Sequence, residues 1–404
     1  MSAHNTITIE EATERLIDYR GKTPPKTDSG VRLITAKVIK GGRILDEPQE
    51  YIASSFYDEW MRRGLPLQKD VLITTEAPLG EVAILRDSSK VALAQRVILL
   101  RARAGVVDPS FLFYALQSDF GQGELRARAS GTTVSGIKQS ELRLVRIPIF
   151  PLSVQRRIAG ILSAYDDLIE NNLRRIRILE EMARALYREW FVHLRFPGHE
   201  VVPRVGTSLG PIPQGWEVKK LGEIAEDMRR NVQKGQLDEP RPYVGLEHIP
   251  RRSLTLDAWE TTTDLGSNKL QFKKGEVLFG KIRPYFHKVS VAPFDGLCSA
   301  DTIVIRARRP EHYAFVVACV SSDDFVAHAT ATSNGSKMPR ANWSVLENYD
   351  VVIPTSEIAS RFTGFFCNSI AEQQTLLFQT HNLRRTRDLL LPKLLVGGPV
   401  SCST

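Results

Sequence analysis

Cysteine is scarce in this 404-residue chain: Cys298, Cys319, Cys367 and Cys402 all fall in the second half, far apart and with no CxxC pair. That spacing excludes a zinc ribbon and leaves no disulfide framework, so a reducing, cytoplasmic setting is expected. No apolar run approaches the ~20 residues that span a bilayer, and the first ten residues lack the basic and apolar regions of an export signal, so no membrane association is expected. The eight histidines form no HExxH or comparable ligand spacing; His193 and His199 read as polar linker residues, and no metal site is expected. A GxxxxGK[S/T] phosphate loop is missing, so this chain is not expected to hydrolyse ATP. Glu276 and Lys281 could be forced into an acid and base pattern, but such pairs arise by chance in a chain of this length, and no catalytic residue is assigned.

What is present is the composition of a folded protein, with 42% hydrophobic and 25% charged residues. The length calls for two or more domains of ~100 to 200 residues. With 54 Lys and Arg against 46 Asp and Glu, the formal charge is +8, which favours a polyanionic partner through counterion release. Charge alone fits a solvated basic surface equally well.

The chain repeats itself. Lys69-Asp70-Val71-Leu72 aligns with Gly275-Glu276-Val277-Leu278, and Ala94-Gln95 followed by Val97 to Leu100 aligns with Ala300-Asp301 followed by Ile303 to Ile305. The offset is 206 residues in both cases, as between positions 71 and 277 or 95 and 301. Val145-Arg146-Ile147-Pro148 then falls on Val351-Val352-Ile353-Pro354, and Leu116 to Phe120 resembles Val320 to Phe325. The polar loop Ser130 to Thr133 resembles Ser333 to Ser336. Ordered anchors at one spacing mark a duplication.

Each half therefore reads as short β-branched strands with Gly and Pro turns, one short helix, a polar loop, and a strand ending in Pro before a long helix. Strands are expected at Val31 to Ile39, Asp70 to Thr75, Glu81 to Leu85 and Ala92 to Arg101, then at Tyr243 to Ile249, Glu276 to Phe279, Lys288 to Ala292 and Thr302 to Arg306. Both globular parts are expected to be α+β.

In the first long helix, steps of four and three join Ile158, Leu162, Tyr165, Ile169, Asn172, Ile176, Leu179, Ala183, Leu186 and Trp190. This is a coiled-coil seam, and an Asn at a core position fixes register. The second carries Ile358, Phe362, Phe366, Ile370, Leu377, Leu383, Leu390 and Leu394 at looser spacing. The fold expected is α+β, with two similar globular domains separated by two long helices that pair as an antiparallel coiled coil; the alternative is that each helix packs on its own domain. The divisions are 1–151, the helix 152–196, 197–355, the helix 356–396 and a tail 397–404. A helix of about 40 residues reaches ~60 Å, long against the ~34 Å turn of B-DNA.

Pro151-Leu152-Ser153-Val154-Gln155-Arg156-Arg157-Ile158, followed by Asp166 to Asn172, Leu179-Glu180, Ala185-Leu186-Tyr187 and Trp190-Phe191, resembles the central helix of Type I restriction-modification specificity subunits. Pro213-Gln214-Gly215-Trp216-Glu217 is similar to that family's entry into its second recognition domain, and Arg387 to Leu395 to the end of its second helix. One departure is Thr355-Ser356-Glu357-Ile358, where the first copy has a Pro-Leu-x-x-Gln start. The resemblance implies two target-recognition domains that read a bipartite double-stranded DNA sequence. It implies as partners two modification (methyltransferase) subunits and restriction/translocase subunits, with S-adenosylmethionine, ATP and Mg in those partners and no cofactor here. Consistent with that division, the Asn-Pro-Pro-aromatic or Asp-Pro-Pro-aromatic segment of amino-methyltransferases is missing. Two other classes stay open at this point: a self-sufficient DNA enzyme, which would bind a cofactor, and a coiled-coil scaffold that binds no DNA.

DNA contact calls for Arg and Lys at phosphates, and for Arg, Lys, Asn, Gln, Ser or Thr at base edges, carried on loops. The candidates are Arg20, Lys22 and Lys26 in a Pro-stiffened loop, Thr132, Thr133 and Lys138, then Arg229, Arg230 and Asn231, Lys281, Arg283 and Tyr285, and Asn334 with Lys337. Lys281 to Tyr285 stands out for two cations and an aromatic after a strand; its first-half counterpart, Glu76 to Gly80, has no cation. The two halves are therefore expected to read different sequences.

Overall fold

The computed structural model describes residues 5–19, 23–131 and 134–397, and its content is mixed helix and strand. Two compact units divide the chain, one drawn from Met1–Ile169 and Asn382–Thr404, the other from Glu170–His381.

In the first unit Thr13–Asp18, Val97–Ala102, Val71–Thr75 and Leu79–Ile84 lie in that order as an antiparallel sheet. Val71, Ile73, Ile98 and Leu100 share a core with Phe111, Leu112 and Leu116 of the helix Pro109–Gln117. Leu72, Val97 and Leu99, pointing the other way, share a second core with Leu33, Ile34 and Leu93. With both faces covered, these strands read as unbroken apolar runs instead of alternating ones.

The second unit repeats this order with Ala225–Asp227, Thr302–Ala307, Val277–Gly280 and Val289–Val291. Val277, Phe279, Ile303 and Ile305 pack with Phe315 and Phe325, while Leu278 and Val304 pack with Val244, Phe272 and Cys298. The register refines the alignment by one residue: Thr75 N–H donates to the Arg96 carbonyl and Lys281 N–H to that of Asp301, so Arg96, and not Gln95, occupies the place of Asp301. Each unit adds a second sheet containing one parallel pair, Val31–Ile34 with Val91–Leu93 and Gly235–Val244 with Gly296–Ser299. That sheet has three strands in the first unit and five in the second.

Several expected elements are interrupted. The strand expected at Val31 to Ile39 stops at Ile34, where Val38 N–H turns back to the Thr35 carbonyl. Ala92 to Arg101 is two strands in two sheets, split by a turn closed from Val97 N–H to the Ala94 carbonyl. Tyr243 to Ile249 ends at Val244, because Gly245 N–H bonds His248 Nδ1 and the His248 N–H returns to the Gly245 carbonyl. The one short helix expected after the strands of each half is a consecutive pair, Pro109–Gln117 with Asp119–Ala127 and Tyr313–Val320 with Asp323–Ala331. Ser118 and Ser322 cap the second of each pair, the hydroxyls accepting from Gly121 and Phe325 N–H.

The long helices are Leu152–Tyr187 and Ser356–Gly397. Ile158, Leu162, Ile169, Asn172, Ile176 and Ala183 are buried, but Tyr165 and Leu179 are only half-buried. The next residues along, Asp166 and Glu180, are buried instead. The seam also shifts at its end: Phe191, not Trp190, is buried, because Arg188–Val192 is a wide π turn that delays the rotation by a residue. Phe191 packs on Phe315 and Phe362, with ring centroids 5.2 and 4.8 Å away.

Candidate nucleic-acid interface

One inner strand of each repeated sheet, Val71–Thr75 and Val277–Gly280, is entered at a buried carboxylate. Asp70, just before Val71–Thr75, accepts from Arg101 Nε at 2.9 Å and Nη2 at 2.7 Å. Glu276, just before Val277–Gly280, accepts from Arg230 at 2.8 and 2.6 Å. The acids are 3% and 6% exposed and their arginines 17% and 22%, so both pairs hold the fold. Arg230, a candidate for DNA contact, is therefore committed to Glu276. Asn231 beside it is exposed, as is Arg229, whose charge acts on Asp227 and Lys281.

At its exit the same strand meets the loops. In the second unit Ile282 and Asn334 both bridge to Arg340, Ala341 N–H donates to the Lys281 carbonyl, and Arg283 N–H to that of Pro339. This brings Lys281, Arg283 and Tyr285 beside Asn334 and Lys337, five candidates from two separate segments. Lys281 is half-buried and its ammonium donates to the Ala300 carbonyl at 3.0 Å; burial pulls its pKa down, opposed by the Asp227 carboxylate. Arg283 adopts the left-handed backbone conformation, φ 50°, and its Nη2 reaches the Lys337 carbonyl at 3.4 Å. Tyr285 is 51% exposed and lies edge-on to Phe286, on whose ring Arg251 also sits at 4.1 Å. Asn334 and Lys337 are exposed.

The first unit is built alike. Glu76 and Ser130 bridge to Gly136, and Ile137 N–H donates to the Thr75 carbonyl at 2.9 Å. Gly136 allows this approach, since a Cβ there would come within 3.2 Å of Glu76 Cβ. Ala77, like Arg283, has positive φ immediately before a proline. The loops enclose a recess of about 320 Å³ lined in part by Glu76, Gln95, Arg96, Ser130 and Lys138. Lys138 is exposed at its edge, whereas Lys26 lies elsewhere, paired with Glu50 at 2.8 Å. Arg20, Lys22, Thr132 and Thr133 lie outside the described residues.

Reading loops for unpaired cations missed Arg96, Arg251 and Arg340, because each acts with a partner distant in sequence: Glu76, Phe286 and Asp301. Among the described residues no group of three or more His, Cys, Asp or Glu could hold a metal, and no helix is long and apolar enough to cross a membrane. Cys298, Cys319 and Cys367 are free thiols, and burial raises all three pKa values.

Residues 35–181 match the family model of the Type I restriction modification DNA specificity domain. Over that stretch the chain is similar to a Type I specificity domain. The resemblance of the wider chain extends to the MjaIX specificity subunit of Methanocaldococcus jannaschii, 26% identical over 341 residues that make up 81% of this chain and 77% of the relative. The EcoDI specificity subunit of Escherichia coli is 23% identical over 297 residues, 68% of this chain and 65% of the relative. The crystal structure of the Type I restriction-modification system S subunit from M. genitalium shares the fold of this chain, with a TM-score of 0.59 at 16% identity, covering 98% of this chain and 97% of that one.

Proposed function

We propose that this chain is the non-catalytic reading subunit of a Type I restriction-modification complex. Each unit reads one half of a split double-stranded DNA target, at the loops that follow Val71–Thr75 in one and Val277–Gly280 in the other. The observation that carries this reading is one loop-bearing scaffold occurring twice with different loop side chains: Glu76, Arg96 and Lys138 in one copy, Lys281, Tyr285 and Arg340 in the other. A reader of two different half-sites requires that combination. The formal charge of +8 supports a polyanionic partner.

The recognition domains are residues 1–151 and 197–355, and the helices 152–196 and 356–396 pair antiparallel to set the unread spacer. Two observations support the pairing. Within the first unit, Ile158 and Leu162 share a core with Leu390, Leu394 and Leu395; within the second, Ala183 and Phe191 share one with Phe362 and Phe366. The start of one helix thus lies with the end of the other in both places. Lys26, Lys138, Arg229, Asn231, Lys281, Arg283, Tyr285, Asn334 and Lys337 contribute phosphate and base contacts. Two modification subunits bring S-adenosylmethionine, restriction subunits bring ATP and Mg, and the complex works in the cytoplasm.

Assembled with its modification subunits, the chain directs adenine methylation to one split sequence. Methylation by the chain alone, or at a single unsplit sequence, overturns the reading. Inserting one heptad beside Asn172 changes the spacer and leaves both half-sites as they were; an unchanged spacer shows that the helices are not the ruler.

A further inference from the structure

The loops at the strand exits hold a second class of ion pair. In the first unit Arg96 Nε lies 2.8 Å from Glu76 Oε1, with the side chains 49% and 41% exposed. In the second, Arg340 Nη2 lies 3.6 Å from Asp301 Oδ1, the side chains 57% and 36% exposed. One member of each pair occupies a matching place. Arg96 and Asp301 are the residues whose carbonyls accept from Thr75 and Lys281, and Glu76 and Arg340 lie in the segments bridged across the loop mouth. The matching position carries the cation in the first unit and the anion in the second, whereas the partners differ in place: Glu76 is at the strand exit, where the second unit has Ile282, and Arg340 is in the facing loop, where the first unit has Gly136.

Pairs this open contribute little to stability, unlike the buried pairs at the other end of the same strands. Their chemistry suits another task. A guanidinium offers two parallel donors, which match O6 and N7 of guanine in the major groove, and a neighbouring carboxylate fixes the fork while its free oxygen accepts from cytosine N4.

We propose that Arg96 with Glu76, and Arg340 with Asp301, are specificity-determining pairs, each reading one G·C base pair in its own half-site. The inference rests on the chain being a DNA reader, and it adds which residues read and what they read. Arg96 makes the guanine contact from the recess wall of the first unit and Arg340 makes it in the second. Glu76 and Asp301 position the guanidinium and accept from the paired cytosine.

The test uses the full chain assembled with its modification subunits, a duplex library randomised across the target, and sequencing of methylated adenines. Arg96→Gln abolishes the guanine preference at one position of one half-site and lowers methylation of the original target roughly 10- to 100-fold. The other half-site keeps its sequence, which shows that the chain is folded. Arg340→Gln does the same in the opposite half-site. Glu76→Gln and Asp301→Asn act at the same positions with smaller losses. Arg96→Lys retains charge without the fork, so it loses the guanine preference while non-specific DNA affinity stays. Wild-type preferences in the arginine variants, or a loss spread evenly over all sequences, overturn the proposal. A wild-type complex that methylates no split sequence overturns the parent reading itself.

Discussion

The first unit holds a buried acid of the central helix with charge, and the second holds its counterpart with hydroxyls and amides. Asp166 receives the Tyr114 hydroxyl at 2.6 Å and the Arg387 guanidinium, with Arg387 only 18% exposed. Burial and the nearby carboxylate push the Tyr114 phenol well above its ordinary range. Glu180 receives the Ser253 hydroxyl at 2.7 Å and Thr255 N–H at 3.0 Å, and the Thr255 hydroxyl continues to Gln373. Arg184 approaches Glu180 only to 3.5 Å. Two acids four helical turns apart thus perform one job by different means. The difference predicts unequal fragility, because removing one partner of a buried ion pair strands a charge, whereas a hydroxyl cluster loses a single bond.

Arg387→Ala tests the charged anchor most severely. Asp166 is left without its countercharge, and denaturant unfolding should show a loss of ~3 to 5 kcal/mol expressed first in the unit containing Asp166. Phe362→Ala opens the aromatic cluster around Phe191 in the other unit and should cost about as much, ~3 to 5 kcal/mol, as a melting shift confined to that unit. A drop shared equally by both units in either variant would erase the contrast.

Glu180→Gln should act in the opposite direction. Burial raises the Glu180 pKa, so the folded state holds the proton more tightly than the unfolded one. The acid therefore contributes stability below its unfolded pKa of about 4.5 and loses it as pH rises through the folded value. Glutamine keeps an acceptor for Ser253 and Thr255 and does not ionise, so the variant should match or exceed the wild type at pH 7 and show a flatter stability profile above pH 4.5. A variant clearly weaker at pH 7 would mean that the ionised carboxylate is needed. Tyr285→Ala, at an exposed loop, should change stability by no more than ~0.5 kcal/mol. Its DNA affinity should fall in one half-site only, as measured by binding at two salt concentrations.

The duplication was legible because it rests on positions that pack: 71–73, 97–100, 277–279 and 303–305 are buried on both faces and tolerate little besides apolar residues. The long helices were legible from their periodicity. What escaped was chemistry made by two distant residues. Asp166 and Glu180 look like ordinary helix-surface acids until Tyr114, Ser253 and Thr255 meet them, and the seam through Tyr165 and Leu179 missed them by one position. Arg230 looked like a free cation because Glu276, 46 residues away, is brought to it only by the fold. Lys281 and Arg283 were named on one loop and Asn334 and Lys337 on another, and the main-chain bridges that gather them leave no trace in residue type.

The wide turn Arg188–Val192 has its own consequence for how such a chain can lengthen. Phe191 is seated in its cluster by angle, and each residue added or removed upstream swings it by about 100°. A gain of seven residues, close to two full turns, restores the ring's facing to within about 20° but carries it about 10 Å along the axis, whereas a gain of one or two turns it away. Growth of this helix therefore has to come in heptads that are matched by the helix carrying Phe362.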